Sequence, residues 1–99
     1  MDLEHAQTLA QARSLVAALA DSAVEDDASA AFEQVLIELD WLHHDESPAL
    51  DTDGLSDDRD LLYLVATSAI ESLVLYGLDD LDVELLLVRL EAARALDGH

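Results

Sequence analysis

The side chains of this chain with most scope for chemistry are its carboxylates and imidazoles. It carries 23 Asp and Glu, four histidines (His5, His43, His44 and His99) and no cysteine. Asp40-Trp41-Leu42-His43 sets a carboxylate and an imidazole one helical turn apart, a spacing that metal ligands use. A di-iron carboxylate bundle needs more, a Glu-x-x-His pair on each of two helices with further carboxylates. The chain contains no Glu-x-x-His. The adjacent His43 and His44 are accounted for by the end of a helix, where the dipole favours positive charge. Asp51-Thr52-Asp53-Gly54 resembles the middle of a calcium loop. With Gly54 at loop position six, however, position one is Ala49, which cannot ligate, and the closing bidentate Glu is replaced by Asp60.

Other chemistries have less to work with. Without cysteine there is no disulfide, thiolate zinc site or cysteine nucleophile. There is no Gly-x-Ser-x-Gly elbow, no glycine-rich phosphate loop and no lysine for a Schiff base. The pairs Asp57/Asp58 and Asp79/Asp80 sit where helices should begin, and capping explains them without an acid–base dyad. The expectation is a protein that is not an enzyme, with no catalytic residue, no cofactor and no metal centre.

Charge is the dominant compositional fact. The four cations are all arginine (Arg13, Arg59, Arg89 and Arg94), which leaves a net charge of −19 over 99 residues. Direct nucleic-acid binding is disfavoured, because phosphate contacts need Lys and Arg. Three origins fit such a balance. One is adaptation to concentrated salt, where carboxylates hold water and a Debye length of about 3 Å removes their repulsion. The second is an acidic inhibitor or nucleic-acid mimic that occupies a basic site on a partner protein. The third is an acidic protein of a GC-rich genome, where Arg replaces Lys. The excess of Asp over Glu and the shortage of aromatics suit salt adaptation.

The elements that must position these residues are helical. Leu9, Ala12, Val16 and Leu19 fall at three- and four-residue steps and predict a helix over 3–20; Ala28, Phe32, Val35, Leu39 and Leu42 predict one over 27–44. The break between them is placed at Asp21–Asp27, with Ser22-x-x-Glu25 at capping-box spacing; one continuous helix is the alternative, since no Gly or Pro precedes Pro48. An acidic linker follows at 45–55. Ser56 is the expected cap of a helix over 57–76 that stops at Gly77, and Asp79 or Asp80 caps a last helix over 81–96. The expected fold is all-α, a single-domain antiparallel four-helix bundle spanning 1–99.

Residues 61–78 are apolar apart from Glu71, near the length of a membrane span. Glu71 near the centre and acidic flanks favour a buried helix, so no membrane partner is expected. Met1–His5 lacks the basic and apolar regions of a secretory leader, which points to the cytoplasm.

The second half has more apolar residues than one core needs. On the third helix Leu62, Ala66, Ala69, Leu73 and Tyr76 make a face, and on the fourth Leu81, Leu85, Val88, Ala92 and Leu96 make another. Leu64, Leu75, Leu86, Leu87 and Leu90 lie off those faces, as Ile37 and Trp41 lie off the Phe32 face of the second helix. These seven residues are the expected interface, in the first instance of a homodimer formed through helices three and four. Asp51, Asp53, Asp57 and Asp58 form the acidic patch that a basic partner protein would meet. The chain is therefore expected to be a small, non-catalytic interaction or regulatory protein, salt-adapted and self-associating, with acidic inhibition as the alternative.

Overall fold

A computed structural model describes residues 3–43 and 58–97. They form four helices, α1 (Leu3–Ser22), α2 (Asp26–Leu42), α3 (Arg59–Ser72) and α4 (Asp80–Asp97), with a 3₁₀ turn at Leu73–Tyr76 continuing α3. There is no strand among the described residues, and none of their helices is long and apolar enough to cross a membrane. The bundle expected from the periodicity is the fold.

Helix α1 packs on α2 and α3, and α4 packs on the same two, so α1 and α4 are diagonal, as are α2 and α3. Every packed pair is antiparallel. Arg59, at the start of α3, donates to the Leu19 carbonyl (3.2 Å) and to Ser22 at the end of α1. At the other end His5 stacks on Tyr76, with ring centroids 5.1 Å apart. Similarly, the Val24 amide before α2 donates to Asp97 Oδ1 at the end of α4 (3.2 Å). Helices α2 and α3 consequently run the same way, and residue 43 and residue 58 lie at opposite ends of the bundle. The long linker expected at 45–55 lies outside the described residues.

The helix ends show how a chain poor in glycine turns. Between α1 and α2 the expected capping box is not formed: Ser22 Oγ donates back to the Ala18 carbonyl (2.7 Å), and Glu25 occupies the N-cap without a side-chain bond. Ser29 Oγ instead donates to the Ala20 carbonyl (2.9 Å), and Asp97 accepts from Val24. These contacts satisfy backbone groups that a turn leaves open, so the break comes from tertiary partners.

At α3 the N-cap is Asp58, whose carboxylate accepts from the amides of Asp60 (3.0 Å) and Leu61 (3.4 Å). The helix therefore begins at Arg59, two residues later than expected; Ser56 and Asp57 lie outside the described residues. Asp79 caps α4 through Leu81 N (2.8 Å), one of the two caps anticipated. Gly77 takes φ +102°, the left-handed conformation expected of it, after the tightened 3₁₀ turn.

Nineteen buried residues make one core. The faces expected on α1 (Leu9, Ala12, Val16, Leu19) and α2 (Ala28, Phe32, Val35, Leu39) are buried, with Leu42 half-buried, and Leu62, Ala66 and Ala69 on α3 and Leu73 in the 3₁₀ turn are buried too. The helix enclosed on nearly all sides is α1, where every residue from Ala12 to Ala17 is buried.

In α4 the expected and actual core faces are exchanged. Val83, Leu86, Leu90 and Ala93 face the core, while Leu81, Leu85, Val88, Ala92 and Leu96 are exposed. Both stripes have helical periodicity, and the arginines separate them. With Leu86 and Leu90 inward, Arg89 reaches Glu38 on α2 (3.0 Å), while Arg94 reaches Asp60 on α3 (3.3 Å) and lies 4.4 Å from the Tyr63 ring centroid. Leu86 and Leu90 are thus core residues and not the interface residues expected of them. Leu87 is half-buried against the same core.

Candidate interaction surface

The antiparallel packing of α2 on α4 leaves a groove along their seam. It encloses a cavity of about 420 Å³ lined by Gln34, Ile37, Glu38 and Trp41 from α2 and by Asp82, Leu85 and Leu86 from α4, with Leu42 at its end. Leu86 is its floor, being 1 % exposed. Trp41 stands at its rim with 79 % of its surface open, on the side of α2 turned away from Phe32, as its spacing indicated. Ile37 lies one turn back on the same edge and is half exposed. On the α4 side, Leu81, Leu85, Val88, Ala92 and Leu96 continue the apolar surface without a charge on the stripe.

The other interface residues expected from sequence lie elsewhere. Leu64 and Leu75 are exposed, but they belong to α3 and the 3₁₀ turn. Helix α3 does not pack against α2, and neither residue lines the groove. The structure brings Ile37 and Trp41 together and leaves Leu64 and Leu75 apart from them. The exposed members of the surface that sequence reasoning missed are Leu81, Leu85, Val88 and Leu96. Their helical spacing was visible, but it was assigned to the core.

The electrostatics around this surface follow from the scarcity of cations. Each of the four arginines is used between helices. Arg13 Nε donates to Asp40 Oδ1 (2.7 Å), joining α1 to α2. Arg89 with Glu38 joins α4 to α2, and Arg59 with Asp97 and Arg94 with Asp60 join α3 to α4. The Arg59 guanidinium also lies over the Phe32 ring, 5.9 Å from its centroid. No arginine is therefore available as an unpaired phosphate contact. Glu38, on the groove wall, is neutralised by Arg89, which leaves Asp82 as the one lining carboxylate without an ion pair among the described residues.

Of the acidic patch, Asp51, Asp53 and Asp57 lie outside the described residues, as does most of the calcium-like segment, and Asp58 is the α3 cap. Asp40, the carboxylate at metal-ligand spacing, is bound by Arg13. His43 turns to a different partner: its Nε2 lies 2.9 Å from Nε2 of His5, and its Nδ1 lies 2.7 Å from the Leu39 carbonyl. Sequence reasoning missed this pairing, because the two residues are 38 positions apart. No group of three or more His, Asp or Glu converges in a metal-holding arrangement among the described residues.

No family model, curated protein or solved structure matches this chain.

Proposed function

We propose that this protein is a non-catalytic association module whose α2/α4 face docks on the same face of a second copy, in a cell with a concentrated salt interior. The observation that carries the proposal is the open Trp41 beside an apolar cavity and an uncharged leucine stripe. Ile37, Trp41, Leu81, Leu85, Val88 and Leu96 are all exposed and together present several hundred Å² of apolar surface, on the scale of the roughly 800 Å² that each partner gives to a standard interface. A twofold arrangement would let the Trp41 of each copy enter the groove of the other, the role that buried aromatics play at interface centres.

The surface favours a second copy over a basic partner because its recognition elements are apolar. A docking site for a polycation should be lined by free carboxylates, and this groove has one. Salt adaptation is supported by the placement of acids, which are exposed on every helix (Glu4, Glu33, Glu71 and Glu91, for example) instead of gathered on one face. Two such chains repel one another in dilute buffer, so the dimer should tighten as salt rises, through screening and through stronger effective burial of apolar surface.

Sedimentation velocity at micromolar concentration tests this. The expected result is about twice the chain mass at about 2 M KCl and a shift toward monomer at about 0.05 M. Trp41→Ala and Val88→Glu should give monomer at both. A monomer at every salt concentration overturns the proposal. Capture of a basic polypeptide that weakens with salt, without self-association, would support the acidic-inhibitor reading in its place.

A further inference from the structure

Separate from the α2/α4 face, His5 and His43 meet at the end of the bundle where α1 begins and α2 finishes. We propose that this pair is a two-histidine site for a divalent transition-metal ion of the copper–nickel–zinc group, with water in the remaining positions. The two Nε2 atoms are 2.9 Å apart. Imidazole nitrogens bound about 2.0–2.1 Å from one ion and at right angles to each other stand about 2.9 Å apart, so the spacing suits cis positions around a single ion. The rings are edge-on, at 60° with centroids 4.9 Å apart. A collinear contact at the same nitrogen separation would hold the centroids at about 5.2 Å and two ligands at right angles would hold them at about 4.5 Å, so the observed contact is bent and lies between the two.

The support around the pair is that of a ligand site. His43 is 5 % exposed, and its Nδ1–H donates to the Leu39 carbonyl (2.7 Å). That bond fixes the tautomer in which the Nε2 lone pair faces His5, the outer contact that metal-bound histidines commonly have. His5 is held by its stack on Tyr76, with the rings 7° from parallel, and is half-buried, so the site is open on one side. Without metal, the contact requires one Nε2–H donating to the other Nε2. On binding, His5 Nε2 gives up its proton, to its own Nδ1 or to solvent, so that both Nε2 lone pairs reach the ion. Glu4 beside His5, and Asp79 and Asp80 after the Tyr76 turn, bring carboxylates near this end and raise the local concentration of cations. The ion would fasten the first turn of α1 to the last of α2.

Copper(II) is the probe, titrated in about 1 M KCl with excess Mg²⁺ to occupy loose carboxylate sites. One equivalent per chain should bind, with electron paramagnetic resonance splitting from two imidazole nitrogens and a raised unfolding midpoint. His5→Gln, at the half-buried position, and His43→Gln should each weaken binding about tenfold or more, while His44→Gln and His99→Gln should change it less than about twofold. Circular dichroism of each variant confirms that it is folded, and His5→Gln decides the matter if His43→Gln is not. Splitting from one imidazole, loss of binding with His44→Gln, retention with His5→Gln, or displacement of copper by Mg²⁺ each overturns the proposal.

Discussion

Exchange of the two stripes of α4 gives the sharpest test of the structure. Leu86 and Leu85 are neighbours of identical composition, yet Leu86 is buried and Leu85 is about half exposed at the groove. Leu86→Ala removes a buried side chain from the centre of the α2/α4 contact. Lost transfer free energy and the remaining cavity together cost about 3 kcal/mol for such a site, within a range of roughly 2–5. Against a total of about 5–15 kcal/mol for a domain of this kind, that is a large fraction. At about 4–8 °C per kcal/mol for a chain of this size, the midpoint should fall by roughly 12–24 °C. Leu85→Ala, which leaves no closed cavity, should cost less than about 1 kcal/mol. Urea unfolding monitored by circular dichroism on dilute, monomeric protein measures both. Equal losses for the two variants, or a greater loss for Leu85→Ala, would refute the placement of the core stripe and with it the groove.

Three further outcomes follow from named contacts. Arg13→Ala should destabilise the fold by about 1–3 kcal/mol, because the half-buried Asp40 loses its charge-assisted contact with Arg13; the double change Arg13→Met with Asp40→Leu should cost much less, and a double-mutant cycle in urea measures the coupling. Gly77→Ala should cost about 1–2 kcal/mol from the left-handed backbone alone, since a Cβ there meets nothing within 4 Å, and a larger loss in thermal unfolding would point to a steric contact. The unfolding temperature of the unaltered protein should rise steadily from about 0.05 M to about 2 M KCl as carboxylate repulsion is screened, and a flat curve would rule out salt adaptation.

What was legible in the sequence was whatever one helix specifies alone. The Leu9–Leu19 and Ala28–Leu39 faces could be read because in each helix the longest run of apolar residues at three- and four-residue steps is the one that is buried. Gly77 and Asp79 were readable because their roles are local. Helix α4 was ambiguous for a physical reason: it carries two apolar stripes of helical period, and the choice between them is made by Glu38 and Asp60 on other helices through Arg89 and Arg94. The α1/α2 break falls within the expected Asp21–Asp27, but its capping box is not formed, for a related reason. Its partners, Ser29 and Asp97, lie outside the window of a capping motif. The His5–His43 contact depends on the antiparallel register of α1 and α2, which periodicity does not encode.

The same four arginines explain how so acidic a chain holds a fixed arrangement. Apolar stripes specify that helices pack but discriminate weakly among rotations, most weakly in α4. An ion pair between helices adds a directional constraint, and its absence leaves a charge without a partner at the seam. Arg59 illustrates the economy. One guanidinium accepts no hydrogen bond but donates to the Leu19 carbonyl and Ser22 on α1 and to Asp97 on α4, while its plane lies near Phe32 of α2. It therefore touches every helix of the bundle from its own position at the start of α3. Lysine, with a single ammonium and no planar fork, could not make that set of contacts. Contacts near 3 Å are short enough to persist where the Debye length is about 3 Å, whereas carboxylates several times farther apart cease to repel. Concentrated salt thus preserves the few attractions that orient the helices and removes the many repulsions that oppose compaction.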